Sequence, residues 1–435
     1  VALLSIDFTK AFDNARWSDI VNNMINYDYP AHLIHIISSY LSDRLVTFTF
    51  NGTNSSKSIT KGCPQGSPLS PILWSILINP LLLSSFPAGT TVVAYADDIS
   101  VVCADVTAAG LADKIQSSLD MVKRWSMESQ VNINAQKTNI INFHRETLPL
   151  PIRLGGRRIE VVTVVKVLGL TFSSHRSKGK LNFNPHVETV LRKVGSLRNC
   201  LLNFCKNTYG MNTVKRKNLY KGLLRPVIAY GSEIWLDFAL GTHKKKLESF
   251  QYTILRNAVR AYRTVSQNCV TVLSGVEPIV AHMKARQLRY QIGKGLRELS
   301  PGVTLAEATD EIRLTALQQA HMDTNDNFRA FFPSFPIPKH IYPNFFNTQF
   351  FTAHGHFRAY LYRFHLSDIE TCTCSEDPQT IPHLLIHCPI YTQKRLQLNL
   401  HNIIHLHDFV RDRDTYHRFD ALCKHICTHL NTYID

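Results

Sequence analysis

The alternation of apolar and polar residues divides the chain into an α+β first half and a helical second half. Residues 1–8 (Val-Ala-Leu-Leu-Ser-Ile-Asp-Phe) read as a buried strand ending at Asp7. Helical spacing follows over Trp17–Asn26 and His32–Ser42. The runs Arg44–Phe50 and Ser56–Lys61 flank the turn letters Asn51-Gly52-Thr53-Asn54 and predict a hairpin. A glycine–proline loop, Lys61 to Pro68, leads into an apolar helix from Leu69 to about Leu83. Thr91–Tyr95 and Ile99–Cys103 predict a second hairpin with Asp97 and Asp98 at its tip. Leu111, Ile115, Leu119, Val122 and Trp125 recur at helical spacing, and strands are expected around Thr138–Phe143 and Val161–Phe172. The order β-α-β-β-α-β predicts a split βαβ antiparallel sheet with its helices on one face.

From about Asn184 the pattern turns helical, with Val187, Val190, Leu191, Val194, Leu197 and Leu201 on one face. Pro333, Pro336, Pro338 and Pro343 crowd an irregular stretch, so 298–350 is expected to be a linker ahead of a compact module over 351–435. The other expected units are 1–180 and 181–297.

Composition changes this picture in one respect. The net charge is +15, and 44% of residues are hydrophobic, which excludes a disordered or collagenous chain. Residues 151–270 carry 22 basic and 5 acidic side chains, whereas the flanking segments are nearly balanced. A single cationic block predicts a polyanionic partner. Lys215-Arg216-Lys217 and Lys244-Lys245-Lys246 are its densest clusters. The ten cysteines are too sparse for a disulfide scaffold. Cys63, Cys103, Cys200, Cys205 and Cys269 read as reduced interior residues of an intracellular protein. The longest apolar run, Ile72 to Leu83, is too short to cross a bilayer, so no membrane partner is expected. Val1 already lies in a strand-like run, and a missing N-terminal part is the expectation.

If the first strand neighbours the second hairpin, Asp7 converges with Asp97 and Asp98. Clustered carboxylates cannot all ionise without compensating charge. Hard oxygen ligands in small number suit Mg²⁺, and a pair of such ions serves in-line displacement at phosphorus. An Asp-Asp pair seen alone is more often turn chemistry. The ordered combination with Asp7, the glycine–proline loop and the basic segment favours phosphoryl transfer.

Asp7-Phe-Thr-Lys-Ala11-Phe12-Asp13, then Gly62-Cys-Pro64-Gln65-Gly66-Ser-Pro68-Leu-Ser-Pro71, then Tyr95-Ala96-Asp97-Asp98 resemble, in order and spacing, the palm motifs of non-LTR (LINE-type) retrotransposon reverse transcriptases. Lys137-Thr138 and Val167-Leu168-Gly169-Leu170 match that family's last two palm motifs. Tyr230 to Trp235 and Ala261-Tyr262-Arg263-Thr264 resemble thumb and post-thumb segments of arthropod jockey-like and site-specific elements. The resemblance runs from Val1 to about Arg395. It implies a right-hand polymerase palm with partial fingers, a helical basic thumb, and RNA-directed DNA synthesis from deoxynucleoside triphosphates on an RNA template with a DNA primer. It further implies that Asp7 and Asp97 are the principal ligands of two Mg²⁺ ions, with Asp98 auxiliary and the Phe8 carbonyl a further ligand. Phe12 would be a steric gate against ribose, although a core aromatic fits its spacing equally well. Gln65 and Gly66 would meet nucleotide and template. Lys137 would act as general acid, Tyr95 and Ala96 would support the primer end, and Leu168-Gly169 would form the primer grip. A cytoplasmic ribonucleoprotein that enters the nucleus is the implied location.

Cys372-Thr-Cys374, His383 and Cys388 offer a Cys₃His set suited to structural Zn²⁺, with His387 an alternative to His383 and a chance grouping also open. Ala353-His-Gly355-His-Phe357 before it resembles the C-terminal knuckle of the same families, but Ser375 stands where they usually have glycine. Neither an upstream endonuclease nor an RNase H carboxylate set is recognisable. A catalytically inactive nucleic-acid-binding remnant is the alternative function, and an intron maturase a lesser one.

Overall fold

The structure, a computed structural model, describes residues 1–175, 180–204 and 211–431. Cys205, and the side chains of Cys200 and Leu201, lie outside the described residues. The chain divides into two compact units, Val1–His186 and Val187–Asp435.

The first unit is built on a five-stranded sheet in the order Thr90–Tyr95, Asp98–Cys103, Ala2–Ile6, Asn139–Asn142, Glu160–Val162. The strand Ala2–Ile6 is central and pairs antiparallel on both sides. Alternation along it separates two faces. Ala2, Leu4 and Ile6 are buried, with Ile99, Val101 and Cys103 of the neighbouring strand. They join one core with Leu73, Trp74 and Leu77 of the helix Ser70–Leu82 and Leu111, Ile115, Leu119 and Val122 of the helix Ala108–Glu128. Thr107 caps the latter helix by accepting from the Gly110 N–H at 3.0 Å. The expected β-α-β-β-α-β order is thus present, with helices packed on the face that carries Leu4 and Ile6.

Two predicted strands are corrected in detail. Val161–Phe172 is not continuous. Glu160–Val162 pairs parallel with Asn139–Asn142, and the chain then bends at Thr163. Val164–Val167 and Leu170–His175 form a hairpin in a separate three-stranded sheet. Its two-residue turn is Leu168-Gly169, with φ of 47° and 82°. A leucine in the left-handed region carries no turn signal, so the reversal is hidden in an apolar run. The first hairpin is also tighter than expected. Asn51 and Gly52, with φ of 48° and 78°, make the whole turn, and Thr53 already begins the return strand.

The second unit is helical from Asn184–Phe204 onward. Val187, Val190 and Val194 are buried as the periodicity predicts, while Leu197 is exposed. The stretch 298–350 is no linker. It contains the helix Leu305–Met322, opened by a capping box between Thr304 and Glu307, and the helices Asp326–Phe331 and Phe345–Thr352. Phe328, Phe331, Phe332 and Phe350 from this stretch are fully buried, and Phe331 meets Phe419 of the helix Arg413–Asn431 at 5.7 Å. The prolines punctuate these helices rather than prevent a core, each phenylalanine contributing about 1.5–3 kcal/mol by burial. Cys423 and Cys427 are buried in the last helix. Among the described residues no helix is long and apolar enough to cross a membrane.

Of the first basic cluster, only Lys215 is fully exposed. Arg216 is buried and donates to the carbonyls of Met211 and Asn257, both at 2.9 Å. Lys217 donates to the Ser274 carbonyl at 2.8 Å, and burial pulls its pKa below the ordinary lysine value. These two cations hold the helices together. Exposed charge on the helical unit is carried by Lys215, Arg192, Lys193, Lys245 and Lys246, among others.

Candidate active site and a Cys/His cluster

The sheet register decides whether the predicted carboxylates meet. Ile6 lies opposite Ile99, and Tyr95 opposite Asp98 across the turn at Ala96 and Asp97. One step beyond Ile6, Asp7 leaves the central strand beside Asp98. Paired residues share a face, so Asp7 and Asp98 stand on the face away from the buried Ile6 and Ile99. Further along that face lie Ser5 and Ser100, a registered pair with short side chains. Asp97 is half-buried in the turn. Desolvation, then the charges of Asp97 and Asp7, hold the Asp98 carboxyl above the ordinary carboxylate value. The Asp98 carboxyl thus senses both of the other two.

The turn is fastened from below. Ala96 has a φ of 50°, a strained conformation for a residue with a Cβ. Its carbonyl accepts the indole Nε1–H of Trp74 at 2.6 Å. On the other flank, Thr9 N donates to Asn132 O at 2.8 Å and Asn134 N to Asp7 O at 2.7 Å. Phe8 and Ile133 are thereby a non-hydrogen-bonded bridge, which turns the Phe8 carbonyl away from Ile133. The Phe8 ring is buried against Trp125 at 5.5 Å and Trp74 at 6.4 Å.

Lys137 places Nζ 3.7 Å from Oδ2 of Asp7 and is 70% exposed, so it reaches the carboxylates on a mobile stem. Phe12 stacks on Trp74 with ring centroids 5.3 Å apart. The loop of Gln65 and Gly66 is held by Gly62 N to Ala15 O and Cys63 N to Phe12 O, both 2.7 Å. Gln65 Nε2 donates to Asp13 Oδ1 at 3.0 Å. Gly66 has a φ of 91°, which a side chain would oppose. Tyr95 is 67% exposed at the end of its strand. Leu168 and Gly169 form the tip of the separate hairpin, a different sheet from the one that carries the carboxylates.

Trp74, Asp13 and Asn134 escaped the sequence reading as functional residues. Trp74 had a usable signal: an indole in an aliphatic helix needs an acceptor for its N–H.

In the second unit, the ligand atoms of Cys372, Cys374, His383 and Cys388 all lie within 4.8 Å of one another. Sγ of Cys372 and Cys388 are 3.8 Å apart, and Nε2 of His383 is 3.2 Å from Sγ of Cys374. Nδ1 of His383 faces the Asp377 carboxylate at 3.6 Å. Three sulfurs and one imidazole, whose far nitrogen faces a carboxylate, form a donor set suited to Zn²⁺. His387 is not part of the group. Ser375 takes the glycine-like conformation, with φ of 66°, and its N–H donates to Cys372 O at 2.9 Å.

Residues 1–172 match the family described as reverse transcriptase (RNA-dependent DNA polymerase). Over 410 residues the chain is 27% identical to the 115 kDa protein of the type-1 retrotransposable element R1DM of Drosophila melanogaster, covering 90% of this chain and 39% of that protein. It is 28% identical over 267 residues to the RNA-directed DNA polymerase from the mobile element jockey of the same organism, covering 58% of this chain and 27% of that one. Telomerase from Candida tropicalis with a fragment of telomeric RNA overlays with a TM-score of 0.35 and 11% identity, over 73% of this chain and 49% of that one. Such a score does not establish a shared arrangement. The chain spans about two fifths of the length of its R1-type relative.

Proposed function

We propose that this chain, whose residues 1–172 are a reverse transcriptase domain similar to those of R1- and jockey-type non-LTR elements, is the polymerase portion of such an enzyme. It would extend a DNA primer on an RNA template with deoxynucleoside triphosphates, in a ribonucleoprotein that reaches the nucleus. The observation that supports the reading is the strand register, which brings Asp7 beside the turn of Asp97 and Asp98, with Lys137 3.7 Å from Asp7.

The donor set fits Mg²⁺: hard carboxylate oxygens, aided by the outward carbonyl of Phe8, with too little positive charge of their own. When bound, two such ions would supply charge stabilisation for in-line displacement at the α-phosphate. The chain's own residues do the rest by positioning. Trp74 holds the Asp97 turn, Asp13 orients the Gln65 amide, and Phe12, braced by Trp74, limits room beside the incoming sugar. Lys137 would donate a proton to departing pyrophosphate. Tyr95 and the turn Leu168-Gly169 would hold the primer strand, with Arg192, Lys193, Lys245 and Lys246 meeting phosphates of the duplex. Zn²⁺ held by Cys372, Cys374, His383 and Cys388 would be structural.

A second reading, nucleic-acid binding without polymerisation, is favoured by one observation. Every residue of the hairpin Leu45–Phe50 and Thr53–Ser58 is exposed, including Phe48 at 63% and Phe50 at 65%. Exposed aromatic rings on such a hairpin can meet nucleic acid whether or not the carboxylates act. Primer extension with Mg²⁺, by this chain, by a form extended at its N-terminus with the corresponding region of an R1-type relative, and by Asp97→Asn of each, separates the readings. Extension abolished by Asp97→Asn is the expected result. Extension that survives the substitution would overturn the carboxylate assignment, and activity restricted to the extended form would favour the binding reading for this chain.

A further inference from the structure

Two motifs that the polymerase reading leaves unused, Ala261-Tyr262-Arg263-Thr264 and Ala353-His354-Gly355-His356-Phe357, come together in the second unit. Tyr262 stacks on His356 with ring centroids 6.1 Å apart. A cavity of about 640 Å³ opens beside this junction, lined among others by Thr264, His354, Tyr360, Arg363, Phe364 and Gln379.

Three features give the cavity a chemistry. First, three aromatic rings in mutual contact line it: His354 meets Tyr360 at 5.0 Å and Tyr360 meets Phe364 at 5.0 Å, the planes tilted by 53° and 55°. The His354 ring is held by its Nδ1, which donates to Thr352 O at 2.6 Å. Second, Arg363 is exposed, with its guanidinium 5.4 Å from the Phe364 ring centre, a cation beside an aromatic face. Third, the wall is closely packed. A Cβ at Gly355 would come within 2.5 Å of the Gln349 amide and 2.8 Å of the Phe357 ring. Gln379 ties the wall to the Cys/His cluster, accepting from Arg358 N at 2.8 Å and donating to Cys372 Sγ at 3.8 Å.

Planar rings beside one exposed guanidinium suit a planar aromatic group joined to an anion. The volume holds a nucleotide-sized group, within the usual span of about 300–1,000 Å³ for ligand pockets. Asp323 and Asp326 also border the cavity. They repel phosphate and accept from exocyclic amino groups, so the phosphate is left to Arg363. We propose that the cavity takes an unpaired nucleobase of a single-stranded nucleic acid, stacked on Tyr360 and packed against the edge of Phe364, with its phosphate on Arg363. This rests on the reading that the chain handles nucleic acid, and adds a site remote in sequence from the carboxylates. The Cys/His cluster then has a task beyond its own stability: through Gln379 it shapes the wall of a base-binding cavity.

The test is equilibrium binding of the full chain to a fluorescent single-stranded RNA of about 12 nucleotides, without Mg²⁺ or deoxynucleotides. Tyr360→Ala and Phe364→Ala are each expected to weaken binding about ten-fold, the worth of one stacked base. Tyr360→Phe keeps the ring and is expected to bind as the parent does, with unchanged melting and circular dichroism in all variants. Arg363→Ala is expected to lower both affinity and the salt dependence, by about one phosphate contact. Parent-like affinity in folded Tyr360→Ala and Phe364→Ala would overturn the proposal. So would equal competition by a nucleoside monophosphate, which would make the ligand a free nucleotide, or the same ten-fold loss on a fully paired duplex. Because binding is read without catalysis, a chain that fails primer extension still reports on the cavity. One that extends primers but is indifferent to Tyr360→Ala overturns the cavity alone.

Discussion

Trp74 holds the backbone of Ala96, donating its indole N–H to that carbonyl at 2.6 Å. The contact joins the helix Ser70–Leu82, which follows the glycine–proline loop, to the turn that presents Asp97. Two sequence motifs with separate expected roles are therefore one mechanical unit. Phe12 and Phe8 pack on the same indole, so the first carboxylate motif is braced by it as well.

Trp74→Phe keeps a ring in the core and removes the donor. A carbonyl left without its partner costs about 1–3 kcal/mol, so thermal unfolding should show a drop of that size. Loss of the brace should also let the Asp97 turn move. Misplacement by about 1 Å is worth up to ~100-fold in rate. The expected result in primer extension by an active form is a kcat lowered about ten-fold or more with deoxynucleotide KM little changed. A parent-like kcat in a protein that has lost the expected stability would show that the turn holds itself.

Asp13 sits within the first carboxylate motif but acts on Gln65. Its carboxylate accepts from Gln65 Nε2 at 3.0 Å, which leaves Oε1 as the outward-facing end of the amide. Asp13→Ala frees the amide to rotate, whereas Asp13→Asn retains an acceptor oxygen. The contact is exposed, and its net worth is about 0.5–1.5 kcal/mol. Deoxynucleotide KM should therefore rise about three- to ten-fold in Asp13→Ala, with kcat nearly constant and Asp13→Asn intermediate. Steady-state single-nucleotide incorporation measures both constants. A fall in kcat at constant KM would assign Asp13 a different task.

Glu277 anchors the helical unit. Its carboxylate takes Arg225 at 3.1 Å and His282 at 2.9 Å, and its side chain is 12% exposed. Burial opposes its ionisation, but the His282 hydrogen bond and the Arg225 charge outweigh burial and bring its pKa below the usual glutamate value. A depressed folded pKa means that the unfolded chain binds more protons at low pH. The contribution to stability is thus present above the unfolded value of about 4.3 and fades as pH falls through the folded value. Glu277→Gln should cost about 2–4 kcal/mol at pH 7, because it leaves Arg225 half-buried without its partner. The gap between variant and parent should close as denaturant titrations move below about pH 4. A gap independent of pH would mean that packing, not charge, is what the substitution removes.

What the sequence disclosed follows from the range of each interaction. The helix at Trp17–Asn26 and the hairpin flanking Asp97-Asp98 were legible because local periodicity and turn chemistry specify them. The meeting of Asp7 with that hairpin followed from one strand pairing, now seen as Ile6 opposite Ile99. The bond from Trp74 to Ala96 spans 22 residues, and Arg216 to Asn257 spans 41. No spacing rule marks either, so Arg216 reads as surface charge in the sequence and is buried in the fold. The reversal at Leu168-Gly169 was missed for the opposite reason: the signal is local, but leucine hides it. The helices of 298–350 were obscured by prolines that cluster between helices and not within them.

Ser375 tests whether a departure from a family pattern is a flaw or an accommodation. Its φ of 66° is the conformation glycine takes without strain, and its N–H closes the turn that presents Cys372 and Cys374. A serine there costs about 1 kcal/mol in backbone strain. Glycine relieves that cost but gives part of it back through greater freedom of the unfolded chain. Ser375→Gly should therefore raise stability by about 0.5 kcal/mol and leave zinc content unchanged, as read by melting and elemental analysis. Ser375→Val, β-branched at the same φ, should weaken zinc retention against a chelator, because the strain falls on the turn that holds two of the four ligands. If valine retains zinc as serine does, the turn is not what pre-forms the cluster. The segment from Thr380 to Cys388, which carries His383 and the last thiol, would then have to do so.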